Sequence, residues 1–431
     1  MTDRAALTAA ITEARGYPSR AFLICLTAYA FSQTDLALFG YAVPSMRQEF
    51  GVDLKVMGWV ISGSFVLGGV LLVWLALLTD RLGRKRMLGL SIVSSSVFIV
   101  LHALAPNAVA LAVLRGLGIA TGGLTYPVTG AIVVEEAPAR LRGVFAGMLQ
   151  TGYPLGWFIA SLLAAPILAA YGWRPLFLVG LLSIPFVFVV QRYLRESVRF
   201  RPPTDASTPR PSLSALFTPA MRRRTVTLFC AQFMFVAAYG GTAILFPTYF
   251  VESRGFAIGN SAYLVGLGNL IGVLGYLLAA LVGEFVLTRR TTVVVWTMLG
   301  GLAFLWLVWG TTDYADSVVA FGVMAMFFYG TAAVKFAYVA EIFPTRLRAT
   351  GLAFCGSLAV TLGTAVGPLL ISYSVEHIGW DRAFSWFGAL PLFVAGLLYL
   401  LLKPVPSGID VDEVEARLED ARLSKVKRCH P

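Results

Sequence analysis

The chain has 431 residues, of which 58% are hydrophobic and only 13% charged, against roughly a quarter charged in soluble domains; its mean hydropathy is +0.76. A net charge of +11 would suit a nucleic-acid binder, but the 34 Lys and Arg are dispersed between apolar stretches rather than gathered on one accessible face. Four scattered cysteines and three separated histidines give neither a disulfide framework nor a metal-site spacing, so the chain is read as having no metal and no cofactor.

In chain order, twelve stretches reach the roughly 20 apolar residues that a hydrocarbon core of about 30 Å requires: 21–46, 57–78, 87–105, 108–134, 143–170, 175–194, 225–250, 260–284, 291–311, 317–343, 350–375 and 382–402. The first is too long, and lacks the small-residue site, to be a cleavable signal peptide. Six stretches lie on each side of a polar, proline-containing interruption at 195–224. The resulting division is an N-terminal tail (1–19), a six-helix bundle (20–195), a linker (196–221), a second bundle (222–403) and a C-terminal tail (404–431). Within that tail, 410–423 reads as a solvated charged helix, with Val411, Val414 and Leu418 on one side.

Counted over this topology, 27 Lys and Arg fall on the side of the termini, 5 on the other side and 2 inside spans. By the positive-inside rule both termini are cytoplasmic, and the chain is a multi-pass protein of the cytoplasmic membrane, with the lipid bilayer as its surroundings.

Two features repeat at half the chain length. The octet Glu-x-x-Pro-x-Arg-Leu-Arg occurs at Glu135–Arg142 and again, 206 residues on, at Glu341–Arg348. The segment TDRLGRKRM, containing Asp80, matches the degenerate GEFVLTRRT, containing Glu284, 204 residues later. Two independent pairs at nearly one offset predict an internal duplication. The fold class is therefore all-α and polytopic, with twelve transmembrane helices in two pseudo-symmetric six-helix bundles.

The loop after the second stretch, LALLTDRLGRKRM, resembles the signature loop of the major facilitator superfamily, G-x-x-x-D-R-x-G-R-[RK], with Ala76 at the first glycine position. The later copy has decayed: Ala280 replaces Gly, Glu284 replaces Asp and Thr288 replaces Arg. The octets resemble the loops between helices 4 and 5 and between helices 10 and 11 of that family. The resemblance implies a cytoplasmic charge network or gate: Asp80, Arg81, Gly83, Arg84, Glu135 and Arg142 in one half, and Glu284, Glu341 and Arg348 in the other. Simple anchoring at lipid headgroups would account for the arginines, but not for acids recurring at the octet starts.

Charges inside spans each cost several kcal/mol unless held in protein or a cavity. Asp35 falls near the middle of the first helix. Arg115 lies 8 residues past Asn107, about 12 Å down the fourth. Lys335 falls in the inner half of the tenth. Their counterparts across the duplication are Gly241, Phe321 and Thr129, so none belongs to the repeated scaffold.

The segment FSQTDLALFGYAVPSM resembles helix 1 of aromatic-acid and metabolite:proton symporters (D-G-x-D-L), with Asp35 at the second Asp and Ser32 and Gln33 in place of the first Asp and the Gly. Arg115, in RGLGIATGG, matches the basic residue of the helix-4 motif linked to proton transfer. The resemblance implies that Asp35 couples protons with Arg115 as its partner; a permanent structural ion pair is the alternative. Lys335 either meets a substrate anion or snorkels to the headgroups. Tyr126, Gln150, Tyr239 and Asn269 are candidate substrate contacts, each with a helix–helix hydrogen bond as the plain alternative.

In helix 5, Gly143/Gly147 and Gly152/Gly156 are spaced for close helix packing. Trp157 after Gly156 breaks the antiporter signature G-P-x-x-G-G. LRESVRF resembles the sugar-porter PESPR element, but Arg195 and Val198 stand where both prolines belong.

Together these features predict a secondary transporter, not an enzyme, that imports a small organic anion (a carboxylate or aromatic acid) with protons by alternating access, as a monomer. A sugar or polyol porter or a facilitator is the alternative within the class. A non-transporting sensor would need a large soluble domain. A membrane-embedded enzyme would need a nucleophile–base pair or an Asp-rich metal motif, and neither is visible. The absence of GxxxxGK[ST] disfavours ATP-driven pumping.

Overall fold

The computed structural model describes residues 12–138, 141–196, 213–344 and 347–404, without the side chains of 76–82, 220, 340 and 349. The charged tail segment 410–423 and most of the linker lie outside the described residues. Among the described residues there are twelve helices long and apolar enough to cross a membrane, and no strand. They run Tyr17–Phe50, Leu54–Leu75, Arg84–Leu104, Ala108–Glu136, Arg142–Tyr171 and Trp173–Tyr193 in the first half. In the second half they run Met221–Thr242, Ile258–Phe285, Arg289–Trp309, Tyr314–Val339, Leu352–Ile378 and Trp380–Leu400. These are spans 1 to 12 below.

Several spans that the apolar pattern predicts as continuous are broken. Span 4 is two helices, Ala108–Gly122 and Thr125–Glu136, interrupted at Gly123–Leu124. Span 10 is likewise Tyr314–Phe328 and Thr331–Glu341, interrupted at Tyr329–Gly330, 206 residues on. The helix starts match as well. Asn107 caps span 4 by accepting from the Ala110 amide at 2.9 Å, and Asp313 caps span 10 by accepting from the Asp316 amide at 2.8 Å. The apolar run predicted at 225–250 ends as a span at Thr242 and resumes as a separate helix, Phe246–Glu252. A hydropathy window detects none of these breaks, because breaks and helices are equally apolar.

A third duplicated element, which hydropathy and the charged loops do not reveal, closes the ends of spans 6 and 12. Gly172-Trp173 and Gly379-Trp380, 207 residues apart, both place glycine at positive φ (77° and 78°) before a buried tryptophan. Next to Trp173, Arg174 donates from Nε and Nη2 to Glu49 of span 1 (3.1 and 2.7 Å) and from Nη1 to the carbonyls of Ala103 and Ala105 at the end of span 3. Next to Trp380, the acid is Asp381 and the base is Arg254, 3.6 Å apart. Arg254 also reaches the Val308 carbonyl near the end of span 9. The first clamp ties spans 1, 3 and 6 together, and the second ties spans 9 and 12 to the segment between spans 7 and 8, with the two charges exchanged.

Small residues set the closest approaches. A Cβ on Gly367 of span 11 would lie 2.6 Å from the Gly241 amide nitrogen, so only glycine there lets spans 7 and 11 touch backbone to backbone. In span 5 the expected close packing holds for one glycine pair. Gly152 and Gly156 press on Tyr29 and on the Ala30 carbonyl of span 1, whereas nothing lies within 4 Å of a Cβ at Gly143, and Gly147 has only Ala280 at 3.8 Å.

The face carrying the octets is here called the octet face. Gly83 turns at φ +87 there, and the Glu196 carboxylate accepts from the amides of Arg84 (2.8 Å) and Lys85 (3.2 Å), capping span 3. Anions are favoured at a helix N-terminus by its unpaired amides and dipole. Glu196 belongs to the LRESVRF segment, so that segment has a use here without its prolines. Arg84 forms an ion pair with Glu135. Arg142 forms none among the described residues, and the side chains of Asp80 and Arg81 lie outside them. In the second half, Arg289 bridges Glu284 (2.7 Å) and Glu341. Arg289 is not among the residues that the loop resemblance picks out, although two acids need a shared cation to sit together. Arg348 opens the short helix Arg348–Gly351 on the same face.

Candidate functional site

Two buried charges share one cavity inside the first half. Asp35 (6% exposed) and Arg115 (3% exposed) line a cavity of about 100 Å³ together with Ser32, Gln33, Phe65 and Ser95. They come together because unbroken span 1 carries Asp35 at mid-length, while the Asn107 cap starts span 4 two turns before Arg115. The expected direct contact is not formed: no ion pair joins them within 4 Å. The guanidinium lies over Phe39, 3.8 Å from its ring centroid, with Phe65 at 5.7 Å. Its Nε and Nη2 have no hydrogen-bond acceptor. Arg115 is therefore held by ring faces and poised beside a carboxylate, not locked to it.

A second constellation crosses between the halves. Tyr153 of span 5 stands edge-on to Tyr239 of span 7 (5.8 Å) and to Tyr329 at the span 10 break (6.5 Å), with Trp157 at 6.0 Å. Towards the octet face, Tyr126 packs on Tyr29 (5.2 Å) and on Phe336 of span 10 (5.6 Å), and its hydroxyl accepts from Gln150 Nε2 at 2.5 Å. Lys335 is 6% exposed and places Nζ 3.8 Å from the Phe235 ring centroid, with no acidic partner among the described residues. Phe235 meets Phe328, which in turn meets Tyr239, so the ammonium joins the same aromatic assembly.

Of the predicted substrate contacts, Tyr239 and Lys335 thus belong to one aromatic assembly, and Tyr126 and Gln150 to a second contact between the halves, at Phe336. Asn269 joins neither through any ring or hydrogen-bond contact: it donates to its own helix at the Val265 carbonyl, and its Oδ1 has no donor. Sequence reasoning does not single out Tyr29, Tyr153, Tyr329, Phe235 or Phe336. The available signal is tyrosine inside apolar stretches, where each hydroxyl needs a partner. His102 lies near a span end, where a histidine attracts little notice, yet it is fully buried.

On the face opposite the octets the halves are tied together. Arg47 of span 1 pairs with Glu252, Lys55 of span 2 pairs with Glu376 of span 11, and Trp59 Nε1 donates to Tyr373 Oη at 3.0 Å. The ion pairs Arg84–Glu135, Arg289–Glu284 and Arg289–Glu341 on the octet face each stay within one half. The molecule is closed opposite the octets. Towards the octets it is bounded by the Tyr126–Phe336 contact, in which Phe336 remains 53% exposed.

Comparison with known proteins agrees with this architecture. The model of the Major Facilitator Superfamily matches residues 25–286 and 273–428. The niacin transporter NiaP of Acinetobacter baylyi is 25% identical over 405 residues, covering 86% of this chain and 91% of that protein. The gallate transporter of Pseudomonas putida is 27% identical over 421 residues, covering 88% of this chain and 90% of that protein. Among solved structures, a D-xylose-proton symporter superposes with a TM-score of 0.71 at 16% identity, covering 92% of this chain and all of that one, a likeness of fold. With twelve spans, duplicated breaks and caps, and a family match over nearly the whole length, the chain belongs to the Major Facilitator Superfamily and is a membrane transporter, not an enzyme.

Proposed function

We propose that the protein imports a small carboxylate with a planar ring or conjugated body, one proton accompanying each cycle, by alternating access and as a monomer with both termini cytoplasmic. The observation that carries this reading is Lys335, a buried ammonium without an acidic partner among the described residues, at the end of an aromatic assembly spanning both halves. A buried cation is costly unless an anion meets it, and tyrosine and phenylalanine faces and edges suit a flat ring. The transport of niacin and gallate by the relatives supports the same class, since both are ring carboxylic acids.

Asp35 is the proton carrier in this account. Ionised, it attracts Arg115 across their shared cavity; protonated, it releases it. The exchange biases spans 1 and 4, and through them the contacts between halves. The ties opposite the octets are partly exposed ion pairs, worth about 0–1 kcal/mol each, weak enough to open in every cycle. Uptake of labelled ring carboxylates, linear carboxylates and sugars into proteoliposomes, with and without an inward proton gradient, tests the reading. Gradient-driven uptake confined to ring carboxylates is expected. Sugar uptake with no carboxylate uptake would refute it, and uptake indifferent to the gradient would make the protein a facilitator.

A further inference from the structure

His102 sits at the far end of span 3 from the octets, fully buried, with its ring stacked on Phe177 of span 6 (4.9 Å, 25° between planes). Its Nδ1 lies 2.7 Å from the Phe98 carbonyl oxygen. A carbonyl can only accept, so Nδ1 carries the hydrogen, and in the neutral ring Nε2 is a bare lone pair. That Nε2 is buried and has no donor. An unpaired buried acceptor is an uncommon and costly arrangement.

The missing donor is close by. Phe39 of span 1 packs edge-on against His102, at 5.9 Å between ring centroids, and carries the Arg115 guanidinium 3.8 Å from its own centroid. Arg115 in turn has two buried N–H groups without an acceptor. The other charged group by this end of span 3, Arg174, is already engaged by Glu49 and by the Ala103 and Ala105 carbonyls. An orphaned acceptor and an orphaned pair of donors thus rest on one phenylalanine ring, with Asp35 in the cavity that Arg115 lines.

We infer that His102 is the second station of Arg115: its neutral Nε2 accepts the guanidinium when Asp35 is protonated, and gives it up when Asp35 ionises. His102 is then a positioning residue, acting on the proton step through Arg115 without touching the substrate. The inference rests on the coupling role proposed for Asp35 and Arg115. Without the histidine acceptor, protonation of Asp35 strands Arg115, so the ionised, paired state gains and protonation demands a lower pH.

The test is the pH profile of gradient-driven uptake in proteoliposomes, alongside substrate counterflow at fixed pH. In His102→Phe, which keeps a ring in the stack but removes the acceptor, half-maximal uptake should move about one pH unit to the acid side, a tenfold change in the protonation equilibrium. Counterflow should persist. His102→Gln, which offers an amide oxygen, should bring the profile back, and His102→Leu, which also lacks an acceptor, should show the same acid shift and carries the test if the Phe variant does not fold. Gln33 lines the same cavity with an unpartnered Oε1, so it is the rival acceptor. A wild-type profile in His102→Phe overturns the inference, and an acid shift in Gln33→Leu beside it would give the second station to Gln33. Gradient-driven accumulation surviving in Asp35→Asn instead overturns the coupling reading beneath it, and the two failures are distinguishable.

Discussion

Replacing Lys335 by Met separates binding from folding. Met keeps much of the side-chain volume and removes the charge. Within the protein the substitution removes one cation–π interaction at 3.8 Å, worth about 0.5–2 kcal/mol. Against this stands the relieved desolvation of a side chain only 6% exposed and without an acid beside it, which for a buried ion is several kcal/mol. Relief is the larger effect, so the melting temperature of the purified variant should stay level or rise. Binding should change in the opposite direction. Removing one partner of a desolvated ammonium–carboxylate contact costs about 2–5 kcal/mol, so the half-saturating substrate concentration should rise at least about thirty-fold. The assays are thermal unfolding followed by tryptophan fluorescence, and initial-rate uptake across a concentration series. An apparent affinity within twofold of wild type, or a variant that unfolds, would show that Lys335 supports the fold and does not meet the substrate.

Three further outcomes are expected. Burial holds the Glu252 carboxyl above its usual value of 4.5, outweighing the opposing pull of Arg47. A carboxyl raised in the closed state takes up a proton on closing, so closure opposite the octets should strengthen as pH falls through the raised value and weaken above it. Spin-label distances across that face should show this dependence, and Glu252→Gln should flatten it. In Gly367→Ala the new methyl group on span 11 would meet the backbone of span 7 at 2.6 Å or less, so detergent-solubilised protein should lose monodispersity, while Gly143→Ala, with open space around it, should not. In Arg174→Ala, the removal of four hydrogen bonds leaves Glu49 with its Trp173 Nε1 donor and takes the donor from the Ala103 and Ala105 carbonyls; the exposed ion pair is worth about 0–1 kcal/mol and a carbonyl stranded from water costs roughly 1–3 kcal/mol, so the melting temperature should drop by a few degrees, and an unchanged value would mean that water replaces the clamp without cost.

The spans, their number and the duplication are legible in the sequence because they depend on hydropathy and repeated loop residues, which survive as one-dimensional pattern. Asp35, Arg115 and Lys335 are legible too, because charge within an apolar run is conspicuous. The rest depends on packing between elements distant in sequence. The breaks at Gly123–Leu124 and Tyr329–Gly330 lie in apolar surroundings and leave no hydropathy trace. The Gly-Trp pair is visible at an offset of 207, but the exchanged charges of Arg174 and Asp381 hide its equivalence. The loop resemblance groups Asp80 and Arg84 with Glu135 and Arg142, and Glu284 with Glu341 and Arg348. Arg84 pairs with Glu135, and in the second half Arg289, outside that set, bridges Glu284 and Glu341 because it starts span 9 between the ends of spans 8 and 10. That Arg115 rests on the Phe39 face without an ion pair to Asp35 lies outside what spacing along a helix reveals.

The central claim is that a proton on Asp35 drives accumulation of a ring carboxylate, and Asp35→Asn tests it most directly because Asn keeps the shape and cannot ionise. Purified variant and wild type, reconstituted in parallel, would be assayed for substrate counterflow and for accumulation against a concentration gradient under an inward proton gradient. The account predicts counterflow in both and accumulation in the wild type alone. Accumulation by Asp35→Asn at the wild-type rate would contradict it.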